Sequence, residues 1–106
     1  MKVYKLCFYV PLEDCEAVKQ AVFSAGAGVI GEYDSCAWQI EGRGQFRPSA
    51  SANPSIGQAD ELEFVEEYKV EMICKADRIE EAIEALKQAH PYEEPAFEAW
   101  KLDYPC

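Results

Sequence analysis

The sequence has no apolar run near the ~18 residues that a membrane-crossing helix needs, so no helical span is expected. It has no excess of positive charge either. Ten Lys and Arg stand against 20 Asp and Glu, a formal net charge of -10. Phosphate backbones and anionic membranes are bound by clustered Lys and Arg, which excludes nucleic acid and membrane as main partners. No C-x-x-C occurs, and the five cysteines (Cys7, Cys15, Cys36, Cys74, Cys106) are dispersed. That excludes zinc-ribbon and thioredoxin-type frameworks and predicts free thiols in a reducing cytoplasm. The N-terminus, Met1-Lys2-Val3-Tyr4-Lys5, carries no signal-cleavage pattern, which supports a cytoplasmic location. Proline at position 54 blocks Asn53-Pro54-Ser55 as a glycosylation site. One histidine, His90, leaves little material for metal or acid–base chemistry.

What is present describes one globular domain over residues 1–106, with 49% apolar and 28% charged residues. A chain of this size buries about 65% of its unfolded surface, enough for a core without staples. Residues 2–10 read as a strand, with Tyr4, Leu6, Phe8 and Val10 on one face and Val3, Cys7 and Tyr9 on the other. Pro11 is expected to end it. A helix follows from about Glu13 to Ala25, with Val18, Ala21, Val22 and Ala25 as its buried stripe and Gly26 at its C-cap. Residues 35–41 form a short strand with Cys36, Trp38 and Ile40 on one face; residues 42–60 read as a long loop. Residues 62–75 form the longest strand, with Phe64, Tyr68, Val70, Met72 and Cys74 sharing a face. Asp77 and Glu80 make a capping-box pattern for a helix running to Ala89, and Pro91 stops it. Residues 96–104 are the last strand.

The order β-α-β-β-α-β predicts an α+β ferredoxin-like sandwich: a four-stranded antiparallel sheet with both helices on one face. The uncovered face then carries Val3, Cys7, Tyr9, Val65, Ile73 and Phe97, too much apolar surface for water. Another subunit is expected to cover it.

Three segments invite chemistry. Gly26-Ala27-Gly28-Val29-Ile30-Gly31 matches G-x-G-x-x-G, but it follows a helix, where a dinucleotide motif must open one. A C-cap and a tight turn are the better account. Gly42-Arg43-Gly44-Gln45-Phe46-Arg47-Pro48 sets two arginines among glycines, suited to closing on a small anionic ligand; the plain alternative is an exposed hairpin. His90-Pro91-Tyr92-Glu93-Glu94-Pro95 offers His90, Glu93 and Glu94 to a divalent metal ion, against the alternative of a rigid turn. In a β-α-β-β-α-β sandwich the Gly/Arg segment and the His90–Pro95 turn lie at one end, with Asn53 and Pro54 nearby. The glycine turn lies at the other. No nucleophile–base dyad stands out.

In combination these segments are similar to a known family. Gly26-x-Gly28-x-Ile30-Gly31-x-Tyr33, Gly42-x-Gly44-x-Phe46-x-Pro48, Ala52-Asn53-Pro54-x-x-Gly57 and His90-Pro91-Tyr92-Glu93-Glu94-Pro95-Ala96 resemble the inserted central domain of the Nif-three-like (NGG-one-interacting-factor-three, YqfO) family. The resemblance spans nearly the whole chain. It implies a fold of the CutA and PII type and a homo-oligomer, with a trimer favoured. The larger, dinuclear-metal-binding domain of that family has no counterpart in this sequence, so its hydrolase or cyclohydrolase activity is not implied.

These lines converge on a small oligomeric binding or regulatory module. Its expected ligand-binding residues are Arg43, Gly44, Phe46, Arg47, Asn53, His90, Tyr92 and Glu93. The alternatives are a CutA-like handler of divalent metal, an enzyme with a site between subunits, or a subunit that docks on a larger partner protein. Charge is uneven along the chain: residues 60–84 hold 10 of the 20 acids, whereas 42–58 hold two arginines and no acid.

Overall fold

The structure, a computed structural model, describes residues 2–103. β1 (Lys2–Pro11) leads through a 3-10 turn (Leu12–Asp14) into α1 (Cys15–Ser24). β2 (Trp38–Phe46) and β3 (Glu63–Lys75) follow, then a second 3-10 turn (Ala76–Arg78), α2 (Ile79–Ala89) and β4 (Phe97–Asp103). The sheet order is β2-β3-β1-β4 and every pairing is antiparallel. This is the ferredoxin-like sandwich that the element order predicts.

β1 sits between β3 and β4, and its alternation builds the core. Leu6, Phe8 and Val10 point to the helices and pack with Val70, Met72 and Cys74 of β3. Val18 and Val22 of α1 and Ile79, Ala82 and Leu86 of α2 close that layer. The other face of β1 buries Val3 and Cys7 as well. Cys7 lies beneath Tyr9, Lys69, Glu71 and Glu98, and burial pushes its thiol pKa up.

One residue expected on the open face lies on the other, and four more join the open face. Phe97 pairs with Phe8 and so faces the helices, where it packs on the core. The register instead puts Trp100 and Leu102 of β4 and Trp38 and Ile40 of β2 on the open face, beside Ile73 and Val65. Trp38, Ile40 and Trp100 are 61%, 51% and 45% exposed.

β2 starts at Trp38, so Cys36 lies before it, and α1 starts at Cys15; three further boundaries shift for physical reasons. β2 continues to Phe46, because Gly42, Arg43 and Gly44 pair in unbroken register with Glu67, Glu66 and Val65. Glycine weakens a strand without forbidding it, and here β3 supplies the ladder. The connection is thereby shortened to residues 47–62. Pro11 is still paired, with Glu67, so β1 runs one residue further than expected. Asp77 does not cap α2. It lies inside the 3-10 turn, and Arg78, without a capping side-chain bond, stands at the N-cap position. A tightened first turn can satisfy amides that a capping box would otherwise serve. Tyr104, assigned to the last strand, lies outside the described residues, as does Cys106.

The glycine segment forms the C-cap and turn expected of it, at the end of the sheet away from the β2–β3 connection. Gly28 has φ +80°, donates its N–H to the Ile73 carbonyl at 2.8 Å and accepts the Cys36 N–H at 2.8 Å. A Cβ there would stand 2.7 Å from the Phe23 ring, whereas one at Gly31 (φ +57°) would meet nothing. Gly28→Ala should therefore cost about 2–4 kcal/mol, and Gly31→Ala only about 1 kcal/mol. Urea denaturation of the two variants checks this; equal losses would refute the packing argument.

Candidate functional site

Phe46 ends β2, Tyr9 lies near the end of β1, and Tyr92 opens the way to β4, so the topology gathers all three at one end. Between them lies a half-open cavity of about 450 Å³. Its walls include Phe46, Pro48, Pro54, Ile56, Tyr9 and Tyr92, and its charged residues are Arg47, Glu67, Glu93 and Glu94. The Phe46 and Tyr92 rings stand 6.0 Å apart and tilted by 53°, a favourable aromatic contact.

The 47–62 connection is folded rather than splayed. The Asp60 N–H donates to the Pro48 carbonyl at 2.6 Å, closing the segment on itself. The Asn53 N–H donates to Glu93 Oε1 at 2.8 Å, pinning it to the turn before β4. The end-to-end proximity argued from topology is realised in that bond.

His90 anchors the turn. It is 6% exposed, with Nε2 2.7 Å from the Tyr9 carbonyl oxygen and Nδ1 3.2 Å from the Tyr92 amide nitrogen. The carbonyl requires a proton on Nε2, and the Tyr92 N–H requires a bare Nδ1, so the neutral ring is the one that fits. Burial lowers the His90 pKa below its ordinary 6.5, against the opposing pull of the Tyr9 carbonyl and Asp14.

The expected site residues thus separate into three groups. Phe46, Arg47, Tyr92 and Glu93 line the cavity. Gly44 and Arg43 border a neighbouring hollow with Tyr9, Ile40, Glu67 and Lys69. The Arg43 guanidinium itself turns to the other side of the hairpin, 4.6 Å from the centre of the Phe64 ring. Asn53 and His90 are structural ties instead of cavity walls. Of the residues offered to a divalent metal, His90 and Glu93 are engaged in other bonds. Both ring nitrogens of His90 are committed and Glu93 holds the Asn53 amide. Among the described residues no group of three His, Cys, Asp or Glu side chains is arranged to hold an ion.

Glu67 is the residue the sequence reading missed. It sits on β3 opposite Gly42, on the open face, and half-buried. A Cβ on Gly44 would collide with its Oε1, so glycine at 44 is what lets the carboxylate lie against the β2 backbone. Burial raises its pKa above 4.5. Tyr92 Oη is sealed from solvent without a hydrogen-bond partner, and burial followed by the Glu67 charge pushes its pKa up to about 12. The signal for Glu67 was parity: an acid on the same strand face as Lys69, across from two glycines.

No protein-family model matches the chain. Its sequence is 47% identical to the "GTP cyclohydrolase 1 type 2 homolog" of Mycobacterium tuberculosis over 92% of this chain and 26% of that protein. Among solved structures it superposes on a Bacillus cereus protein related to NIF3 with a TM-score of 0.82 and 37% identity. That match covers 97% of this chain and 26% of the other. The periplasmic divalent cation tolerance protein CutA of Archaeoglobus fulgidus gives a TM-score of 0.68 at 15% identity, covering 100% and 88% of the two chains; this is a likeness of fold. The chain resembles one domain-sized segment of the Nif-three-like proteins and spans about a quarter of the curated relatives it matches. No helix of the described residues is long and apolar enough to cross a membrane.

The His90 lock has a measurable consequence. The unfolded chain takes up the imidazole proton near pH 6.5, while the folded chain resists it to lower pH. Folding stability contributed by this group is therefore complete above about pH 6.5 and declines as the pH falls below it. The ring C–H resonance of this single histidine should titrate with a midpoint below 6.5 in the folded protein. A midpoint at or above 6.5 would contradict the buried neutral ring.

Proposed function

We propose that this counterpart of one Nif-three-like segment is a small homo-oligomeric binding module. Its ligand seat is the cavity between the 45–56 segment and the 92–96 turn. The observation that carries this reading is the cavity itself: concave, walled by aromatic and proline rings, with a few charged groups converging on it, as ligand sites are. The Asn53–Glu93 bond and the His90 anchor hold both of its rims, so the space is present before any ligand arrives.

The expected anionic ligand has less support than its two arginines suggested. Arg43 is engaged with Phe64 and only Arg47 reaches the cavity, where three carboxylates oppose it. The activity in the names of the relatives belongs to proteins of which this chain matches 26%, and it is not proposed here. An enzymatic site between subunits would need converging catalytic groups, and among the described residues no serine of the cavity lining is hydrogen-bonded to one of its carboxylates.

A thermal-shift screen against nucleotides, metabolites and divalent cations tests the seat. At least one organic compound should raise the melting temperature of the native protein and leave Phe46→Ala unmoved. A screen in which nothing shifts the native protein overturns the proposal.

The oligomer is supported by the open face. Trp38, Ile40, Ile73 and Trp100 form an apolar surface of the kind that subunit contact removes from water. Light scattering should give a native mass that is a multiple of 11.9 kDa, with Trp100→Glu shifting it toward the single chain. A native protein already at the single-chain mass contradicts the oligomer.

A further inference from the structure

The cavity's charges point to a ligand of the opposite kind to the one the arginines suggested. Its lining holds one basic side chain, Arg47, and three acids, Glu67, Glu93 and Glu94. Arg47 and Glu94 are exposed and well hydrated. Glu93 already accepts the Asn53 N–H. Glu67 is different. Half-buried against the Gly44 backbone, it has no hydrogen-bond or ion-pair partner among the described residues. Lys69, two positions along the same face, makes no ion pair with it, and the partnerless Tyr92 hydroxyl gives it no hydrogen bond. A partly desolvated, unpaired carboxylate is an uncompensated cost that a bound cation would offset. Tyr9, Phe46 and Tyr92 line the same cavity, and the π face of an aromatic ring attracts positive charge.

We propose that the cavity takes an organic cation: an ammonium, amidinium or guanidinium head on a short, flat apolar body. Glu67 is its counter-charge and Phe46, Tyr9 and Tyr92 are its aromatic walls. This rests on the cavity being a ligand seat. Pro48, Pro54 and Ile56 receive the apolar body. N–H donors of the head meet a charged acceptor in a partly dry site, where such bonds are roughly twice as strong as neutral ones. The net charge of -10 raises the local concentration of cations around the molecule. A bare divalent metal suits the place poorly, since hard cations take about six or more oxygen ligands and among the described residues no three His, Cys, Asp or Glu side chains are grouped to hold one. Two sources share the head-group chemistry: a free amine or amidine, and the side chain of a basic peptide.

Benzamidine, neutral benzamide, benzoate and a capped arginine amide would be titrated into the native protein and read by amide chemical shifts. Benzamidine should saturate with shifts over residues 45–56 and 92–96, benzamide should bind about tenfold or more weakly, and benzoate should not bind. Glu67→Gln should bring benzamidine down to the benzamide level, and its amide spectrum in the absence of probe shows whether the variant is folded. Tighter binding of the arginine amide than of benzamidine assigns a peptide source, and the reverse assigns a free small molecule. Benzoate or benzamide binding as well as benzamidine, or Glu67→Gln leaving affinity unchanged, overturns the cation while leaving the cavity a ligand seat. No shift with any probe overturns the cation and counts against the seat itself.

Discussion

The imidazole of His90 holds the position from which the turn before β4 is fastened to the end of β1. One nitrogen donates to the Tyr9 carbonyl and the other accepts the Tyr92 N–H, so a single buried ring sets where both tyrosines stand. Tyr92 then meets Phe46 across the cavity, and Glu93, one residue on, catches the Asn53 amide of the β2–β3 connection. Three separate chain segments are thus tied at one place, two of the ties by the part-buried His90 ring and the third by an exposed bond one residue past Tyr92. The arrangement works only with the neutral ring, which is why burial and its effect on the pKa belong to the architecture of the site and not to its chemistry.

A second constraint is glycine at 44. β2 could pair with β3 under many side chains, but a Cβ at this position would displace the Glu67 carboxylate from its place against the strand. The close approach turns an ordinary sheet-surface acid into a partly dried one without a partner. Such a group costs stability in isolation and becomes favourable only when something positive meets it. Tyr9 and Tyr92, set by the His90 lock, line the same cavity as that carboxylate, so the two constraints act on one volume.

The fold was legible because β1 alternates cleanly and both helices carry a single apolar stripe. Val18, Val22, Ala82 and Leu86 all sit where their spacing placed them. The same-end argument for the β2–β3 connection and the His90 turn also held, because it depends on topology alone. What misled was local. Gly42 and Gly44 read as loop because glycine carries no strand signal of its own, and the pairing partner that keeps them extended lies more than twenty residues away. Phe97 was placed on the wrong face because counting a short strand from an uncertain first residue shifts every side chain by one.

The strand through Gly42–Gly44 also redistributes the charge. Read as a loop, Arg43 and Arg47 make a flexible basic pair that can close on an anion. In a strand through Phe46 they separate: Gly42, Gly44 and Phe46 share the open face, Arg43 points to the other side, where it finds Phe64, and Arg47 lies past the end of the strand and lines the cavity. Glu67 of β3, distant in sequence from the arginines, enters the cavity through its pairing opposite Gly42. Counting charge along the chain made the 42–58 segment basic; Glu67 of the neighbouring strand and Glu93 and Glu94 of the turn before β4 make the cavity lining acidic. For a hairpin the sign of a surface is a property of the paired face, and the register decides it.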